Sequence, residues 1–152
     1  MKAFFLMAML LCLVGCTHSV AIIGVSHTYK EDHILLNVVT NEDLREYENS
    51  KWAHFIAMTY NVGKIYKKDM NNSQLPFVAE NVFLGKQVKN TTKYESEWKI
   101  PFKNTRSDIN GTESYDLKKD NIKDITVMIY GATMGGNRVE TLPFIVNLEK
   151  TW

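Results

Sequence analysis

Polar and apolar side chains alternate with a period of two along much of this chain. In residues 92–102 the lysines and glutamates occupy odd positions, whereas Tyr94, Trp98 and Ile100 occupy even ones. Successive side chains of a β-strand point to opposite faces of a sheet, so this pattern predicts a strand with one wet face and one core face. A chain built from such segments must stack its sheets to bury the apolar faces.

Seven further segments have the same character, and turn residues separate them. They are residues 20–25, 33–40, 52–62, 76–84, 112–117, 124–131 and 139–149. Asn110-Gly111 predicts a tight hairpin turn, because both residue types tolerate positive φ, and residues 133–137 predict a longer loop between the last two strands. Residues 41–51 alone favour a helix, which Asn41 would cap. The sequence thus predicts an all-β fold, an antiparallel β-sandwich of immunoglobulin-like or transthyretin-like kind with one short helix, in a single domain over residues 20–152.

The first 15 residues do not follow this pattern. Lys2 is their only charged residue, and an apolar run of about a dozen residues precedes Gly15, which is the arrangement of a secretory signal peptide. As a helix, residues 3–14 would rise about 18 Å, well short of the ~30 Å hydrocarbon core of a bilayer. We therefore predict a signal peptide over residues 1–15 rather than a transmembrane span.

The signal segment ends in Leu13-Val14-Gly15-Cys16, which resembles the lipobox of bacterial lipoproteins over residues 1–16. The resemblance implies that the Cys16 thiol receives a diacylglyceryl group, that the chain is cleaved before Cys16, and that the new amino group is then acylated. Residues 16–19 would form the lipidated N-terminus and a short tether. Thr17 stands where aspartate commonly signals retention at the inner membrane, so the resemblance implies an anchor in the outer membrane, at its periplasmic face.

Cleavage before Cys16 would remove 15 of the 152 residues and leave 137. Lys2 is the only charged residue removed, so 17 basic side chains would remain with 17 acidic ones. This balance argues against a nucleic-acid-binding protein, which normally carries a basic surplus. The remaining cysteine, Cys16, is expected to carry lipid, which excludes a disulfide and thiol redox chemistry from the mature domain.

Phenylalanine follows each of the three prolines, at Phe77, Phe102 and Phe144. One interpretation places these rings at a rim that receives a partner, with a flexible loop containing Gly135 and Gly136 as a further contact. The other places the rings in the core, next to prolines that protect strand edges because proline donates no hydrogen bond to a neighbouring strand. The second interpretation is the simpler one, and the first defines the candidate partner contacts.

Residues able to support catalysis or metal binding are scattered along the sequence. The four histidines are separated by 9, 6 and 21 residues, which matches no compact zinc spacing. His27, Glu31, Asp32 and His33 lie near one predicted turn, where a solvated loop explains them more simply than a metal site. The sequence contains no nucleophile elbow and no compact serine, histidine and acid group. It therefore predicts a protein that is not an enzyme, with no catalytic residues, no metal and no cofactor.

Three hypotheses of function are compatible with these predictions. The first is a non-catalytic binding or accessory module, held at the membrane by its N-terminal lipid, that serves an envelope or secretion assembly by binding an envelope protein. Its overall plan is similar to the small sandwich lipoprotein of type VI secretion systems, which is an analogy of fold alone. The second is an immunity or inhibitor lipoprotein that blocks a toxin or hydrolase. The third is an enzyme whose catalytic residues come together from distant positions.

Overall fold

A computed structural model describes residues 16–48, 50, 52–63, 77–108 and 111–148. These residues form eleven β-strands and one 3-10 turn over Leu44–Glu46, which confirms the all-β prediction. The strands are β1 (Thr17–Val20), β2 (Ile22–Tyr29), β3 (His33–Thr40), β4 (Ile56–Val62), β5 (Phe77–Gln87), β6 (Tyr94–Pro101), β7 (Lys103–Asp108), β8 (Gly111–Asp116), β9 (Asp124–Ala132), β10 (Arg138–Thr141) and β11 (Phe144–Asn147). The predicted signal peptide, residues 1–15, and Asn110 of the predicted turn lie outside the described residues.

No helix in the described part of the chain is long and apolar enough to cross a membrane.

The strands form two layers that share β5. The start of β5 pairs with β4, with Phe77 opposite Tyr60, whereas its later part pairs with β6, with Glu80 opposite Lys99. One layer therefore contains β1, β10, β9 and β4, with β11 also on β9, and the other contains β6, β3 and β2. Neighbouring strands are antiparallel apart from the parallel pair of β1 and β10. β7 and β8 form a separate two-stranded hairpin.

Two pairs of consecutive strands, β1 with β2 and β10 with β11, are each separated by a short break in the chain. Ala21 separates β1 from β2, and at this residue the chain leaves the first layer and joins the second. β10 and β11 lie along one side of β9, because β4 occupies the other side, and Leu142-Pro143 interrupts them. At the interruption Thr141 Oγ1 accepts the Ile129 N–H at 2.9 Å, which satisfies the β9 donor there. The chain thus links the two layers at Ala21, just beyond the β1–β10 ladder, and the separate edges formed by β2 and β11 begin there.

The core lies between the layers and is built from the inward side chains of the alternating strands. In β6, Trp98 and Ile100 are 0% exposed, as the alternation in residues 92–102 predicts. The Trp98 indole N–H donates to Ser96 Oγ at 2.9 Å, so its polar atom is satisfied within the core. Leu36 of β3 lies opposite Trp98 and is also fully buried. Each buried aliphatic side chain of this kind contributes roughly 1.5–3 kcal/mol relative to an exposed one.

The helix predicted over residues 41–51 is reduced to the single 3-10 turn. Asp43, rather than Asn41, caps this turn, since its carboxylate accepts the Arg45 N–H at 3.0 Å. The Asn41 side chain instead accepts the Ala21 N–H at 2.9 Å, at the point where the chain changes layers. The polar residues that favour a helix start therefore serve a tertiary contact and a shorter turn.

Four strand predictions also need correction. The strand predicted over residues 20–25 is divided at Ala21 between the end of β1 and the start of the longer β2. β4 begins at Ile56 rather than at residue 52. The strand predicted over residues 139–149 is two strands, because Pro143 has no N–H with which to continue the ladder. β7 is missing from the prediction, since Lys103–Asp108 is polar and pairs with β8 alone.

A substitution at Gly85 of β5 can test how the 3-10 turn packs against the sheet. Its φ is +63°, which L side chains rarely adopt, and a Cβ added there would collide with the Asp43 carboxylate and lie 2.8 Å from Arg45 Nε. We expect Gly85→Ala to lower the free energy of unfolding by about 2 kcal/mol or more, measured by urea unfolding. The control is Gly24→Ala, whose added Cβ meets no atom within 4 Å and whose effect should be under about 1 kcal/mol. Equal losses in the two variants would contradict this account of Gly85.

Candidate binding surfaces

Cys16, the predicted lipidation site, is exposed at the start of β1. Its carbonyl accepts the Arg138 N–H at 2.9 Å, and Thr17 lies opposite Arg138 in the parallel ladder. Residues 17–19, which we predicted as part of a tether, therefore belong to β1. Pairing with β10 orders them, and the local sequence does not reveal that partner strand. The Cys16 thiol is consequently attached to the sheet without an intervening linker.

The structure separates the three phenylalanines predicted as partner contacts. Phe77 and Phe102 are only 4% and 6% exposed, and Phe77 packs against Tyr60 and Tyr115 with ring centroids 5.5 and 4.9 Å away. Neither ring is available to a partner, so the core interpretation is correct for these two. Phe144 is 38% exposed and remains a candidate contact.

The loop predicted over residues 133–137 joins β9 to β10, and Gly135 and Gly136 are exposed in it. Arg138, the residue that follows this loop, pairs with Thr17, so the two glycines lie at the same end of the sandwich as Cys16. Phe144 lies further along the same edge, beyond β10. The predicted contacts therefore belong to two different surfaces.

Phe144 borders a cleft of about 740 Å³ where the edges of the two layers separate. The cleft is lined by Val25, Ser26, His27 and Tyr29 of β2 and by Phe144, Ile145, Val146 and Asn147 of β11. Its described lining contains no aspartate, glutamate, lysine or arginine. The cleft is therefore suited to an uncharged occupant.

The backbone of β2 turns hydrogen-bonding groups towards this cleft. Lys30 N–H donates to the His33 carbonyl at 2.9 Å and closes the β2–β3 hairpin. In an antiparallel ladder, alternate residues bond to the partner strand and the residues between them point away from it. Counting back from the Lys30–His33 pair in the observed register, Val25 and His27 direct their N–H and C=O groups away from β3.

The same argument applies to β11 on the opposite side of the cleft. Leu148 N–H donates to the Lys123 carbonyl at 2.7 Å, which sets the alternation of the β11–β9 ladder. Ile145 and Asn147 then direct their N–H and C=O groups away from β9 and towards β2. Six antiparallel pairings connect β2 with β11 through the sheets, so the two edges run in the same direction.

A polar cluster ties β1 to the connection between β3 and β4. His18 Nε2 lies 2.9 Å from Glu42 Oε2 and 2.9 Å from the Tyr47 hydroxyl, which itself donates to the same carboxylate oxygen. The His18 ring packs against Tyr47 and Trp52 with centroid distances of 5.2 and 5.4 Å. Burial alone raises the pKa of Glu42, but the hydrogen bonds from Tyr47 and His18 outweigh burial and leave that pKa below its usual value.

The β7–β8 hairpin forms an arm at the end of the sandwich opposite Cys16. β2 runs away from Cys16 to a turn, where the Asp32 carbonyl accepts the N–H of Phe102 at 3.1 Å, and the arm begins at the next residue. Residues 105–107 and 111–114 of the arm are exposed. The arm is therefore a polar projection directed away from the predicted anchor.

A buried tyrosine pair fixes the base of this arm. The Tyr115 O–H donates to the Pro101 carbonyl at 2.8 Å, and the Tyr60 and Tyr115 hydroxyls lie 2.7 Å apart. Asn104 of β7 adds a hydrogen bond to the Tyr60 hydroxyl at 3.2 Å. Burial raises the pKa of both tyrosines, so both stay protonated and can donate these hydrogen bonds.

The histidines do not converge on a metal site in the described part of the chain. His33 Nδ1 lies 2.5 Å from Asp32 Oδ1, and this hydrogen bond lowers the pKa of the exposed Asp32 carboxyl. His27 instead faces the cleft, with its ring 5.3 Å from that of Tyr29. Among the described residues, no three histidine, cysteine, aspartate or glutamate side chains are grouped closely enough to hold a metal ion.

In comparisons with protein-family models, curated proteins and solved structures, the chain matches none of them significantly.

The Glu42–Tyr47 hydrogen bond generates a prediction about acid stability. Because the pKa of Glu42 is lower in the folded chain than in the unfolded one, its contribution to stability is present above the unfolded pKa and is lost as the pH falls through the folded pKa. Tyr47→Phe removes the hydroxyl donor, so acid unfolding should begin at a higher pH, measured by circular dichroism during acid titration. Tyr130→Phe is the control, since Tyr130 lies opposite Glu140, whose side chain points to the other face of the sheet from Val139 and its partner His18. An unchanged acid midpoint in Tyr47→Phe would show that this hydrogen bond does not stabilise the ionised carboxylate.

Proposed function

We propose that this chain is a lipid-anchored, non-catalytic binding module at the periplasmic face of the outer membrane. Its partner would be a protein of an envelope or secretion assembly. The lipobox ending at Cys16 supports the anchor, and the cleft between β2 and β11 is the observation that carries the binding function. In this proposal the lipid fixes the module at the membrane, and the cleft holds the partner.

The chemistry of the cleft favours an extended peptide segment as the bound part of the partner. Val25 and His27 on one side, and Ile145 and Asn147 on the other, turn backbone donors and acceptors towards it. The two edges come within 8 Å of each other over part of their length, closer than the roughly 9.6 Å that a strand between them would need. The segment would therefore pair with the β11 edge and run antiparallel to it. Its inward side chains would lie against the apolar part of the lining, as in other cases where a peptide adds a strand to a sheet edge.

The binding proposal predicts a specific effect of proline in β11. Ile145→Pro removes an N–H that faces the cleft and leaves the hydrogen bonds between β11 and β9 in place. We expect at least about a tenfold loss of partner recovered by affinity purification from detergent-solubilised membranes. Ile145→Ala, which keeps the N–H, should lose much less, and a thermal melt of each variant checks that the fold is retained. A wild-type chain that always purifies alone, or equal losses in the two variants, would count against the cleft as the binding site.

The anchor has its own test, which does not depend on the partner. Mass spectrometry of the mature N-terminus should find diacylglycerol on Cys16, and Cys16→Ser should lack that modification and leave the membrane fraction. Cys12→Ser is the matched control, because Cys12 has no small residue before it and is not expected to carry lipid. An unmodified Cys16 in the wild-type chain would overturn the lipoprotein assignment.

The projecting arm favours a second candidate function, an immunity or inhibitor lipoprotein. A polar hairpin with a fixed base and exposed strands is suited to block a toxin or hydrolase that approaches from the periplasm. Replacing the paired arm residues Thr105 and Ser114 with tryptophan should then abolish protection against the toxin, while Ile145→Pro should leave protection intact. Retained protection in the arm variant would argue against this candidate.

A further inference from the structure

The loop between β9 and β10 presents one large apolar side chain directly to solvent. Thr133 N–H donates to the Asn137 carbonyl at 2.9 Å, and Gly136 N–H donates to the Thr133 carbonyl at 3.2 Å. The Thr133 hydroxyl also accepts the Asn137 N–H at 3.2 Å, so the loop is closed by its own hydrogen bonds. At its tip Met134 is fully exposed, the most exposed large apolar side chain among the described residues.

This loop lies beside Cys16 at one end of the sheet, in the row of residues that are side by side on neighbouring strands there. The Cys16 carbonyl bonds to Arg138, the residue that follows the loop, and Arg138 lies opposite Ala132, the last residue of β9. Neighbouring strands are about 4.8 Å apart, so both ends of the loop lie within about 10 Å of the Cys16 backbone. The row continues through the Ala132 carbonyl to the N–H of His54.

A second exposed apolar side chain extends the same surface. Phe55 follows His54 in the chain and is 49% exposed, with its ring 6.1 Å from that of Tyr130. Methionine, phenylalanine and tyrosine side chains all gain from leaving water for the interfacial region of a bilayer. Arg138 is exposed between the loop and β1 and is placed to contact anionic headgroups.

We propose that the β9–β10 loop is a second membrane contact, in which Met134 enters the interface of the bilayer that holds the Cys16 lipid. The proposal rests on the proposed lipidation of Cys16. A lipid on Cys16 places that residue at the membrane surface, and β1 begins at Thr17, so no flexible residues separate the sheet from the bilayer. The loop beside Cys16 must then lie at the same surface. Phe55 lies next to it at the rim, and the domain is held in one orientation.

The mature chain permits a site-specific test of this contact. Its only cysteine would be the lipidated Cys16, so a cysteine introduced by Met134→Cys is the only thiol open to labelling with an environment-sensitive nitrobenzoxadiazole dye. The lipidated protein is reconstituted into vesicles of phosphatidylethanolamine and phosphatidylglycerol. We expect the Met134→Cys label to brighten several-fold, to shift to the blue, and to be quenched by spin-labelled lipids rather than by aqueous iodide.

Val78→Cys provides the matched control. Val78 is also an exposed apolar residue, but it lies opposite Thr59, which lies opposite Met128, four residues along β9 from Ala132 beside the loop. At 3.3 Å per residue, this places Val78 roughly 13 Å further from the proposed membrane surface. Its label should remain accessible to iodide on the same vesicles. Equal accessibility of the two labels to iodide, in protein whose Cys16 lipid is confirmed by mass spectrometry, would overturn the loop contact and leave the anchor standing. An unmodified Cys16 would overturn the anchor, and the loop contact with it.

Discussion

The parallel pairing of β1 with β10 is the interaction on which the rest of this architecture depends. It holds β1, the edge strand of the first layer, against β10, and it ends at Val20 and Thr141. Beyond that point the Ala21 N–H donates to the Asn41 side chain, and Pro143 has no backbone N–H. Neither residue therefore extends the ladder. The cleft between β2 and β11 begins where this short ladder stops. The position of Cys16 is set by the same ladder, since its carbonyl is the first acceptor from β10.

The alternation of polar and apolar residues was enough to predict most strands and the faces that they bury. β3 has the predicted bounds, and Trp98 and Ile100 of β6 are buried as the period of two requires. Alternation works for these strands because one face packs against the other layer and the other face meets water. It does not reveal β7, because Lys103–Asp108 pairs with β8 alone and neither of its faces packs against a layer of the sandwich. Such a strand has no need of apolar residues at alternate positions.

The surfaces were harder to predict, because each one joins residues that are distant in the sequence. The cleft brings Val25 together with Phe144, and the polar cluster brings His18 together with Glu42. No local pattern marks such pairs, since the strand order decides which edges meet. Proline followed by phenylalanine was an ambiguous signal for the same reason. The ring is buried at Phe77, where β5 pairs with β4, and half-exposed at Phe144, which lies on a layer edge.

The direct attachment of Cys16 to β1 also has a mechanical consequence. If Cys16 carries the proposed lipid, a partner held at the far end of the sandwich would pull against that lipid along the direction of the strands. Because β1 and β10 run parallel, from Thr17 beside Arg138 to Val20 beside Thr141, such a load would act on all the hydrogen bonds of their ladder together. A peeling load would break them one at a time. A lipid on Cys16 would therefore be joined to the domain in a shear geometry, which resists load better than a peeling geometry.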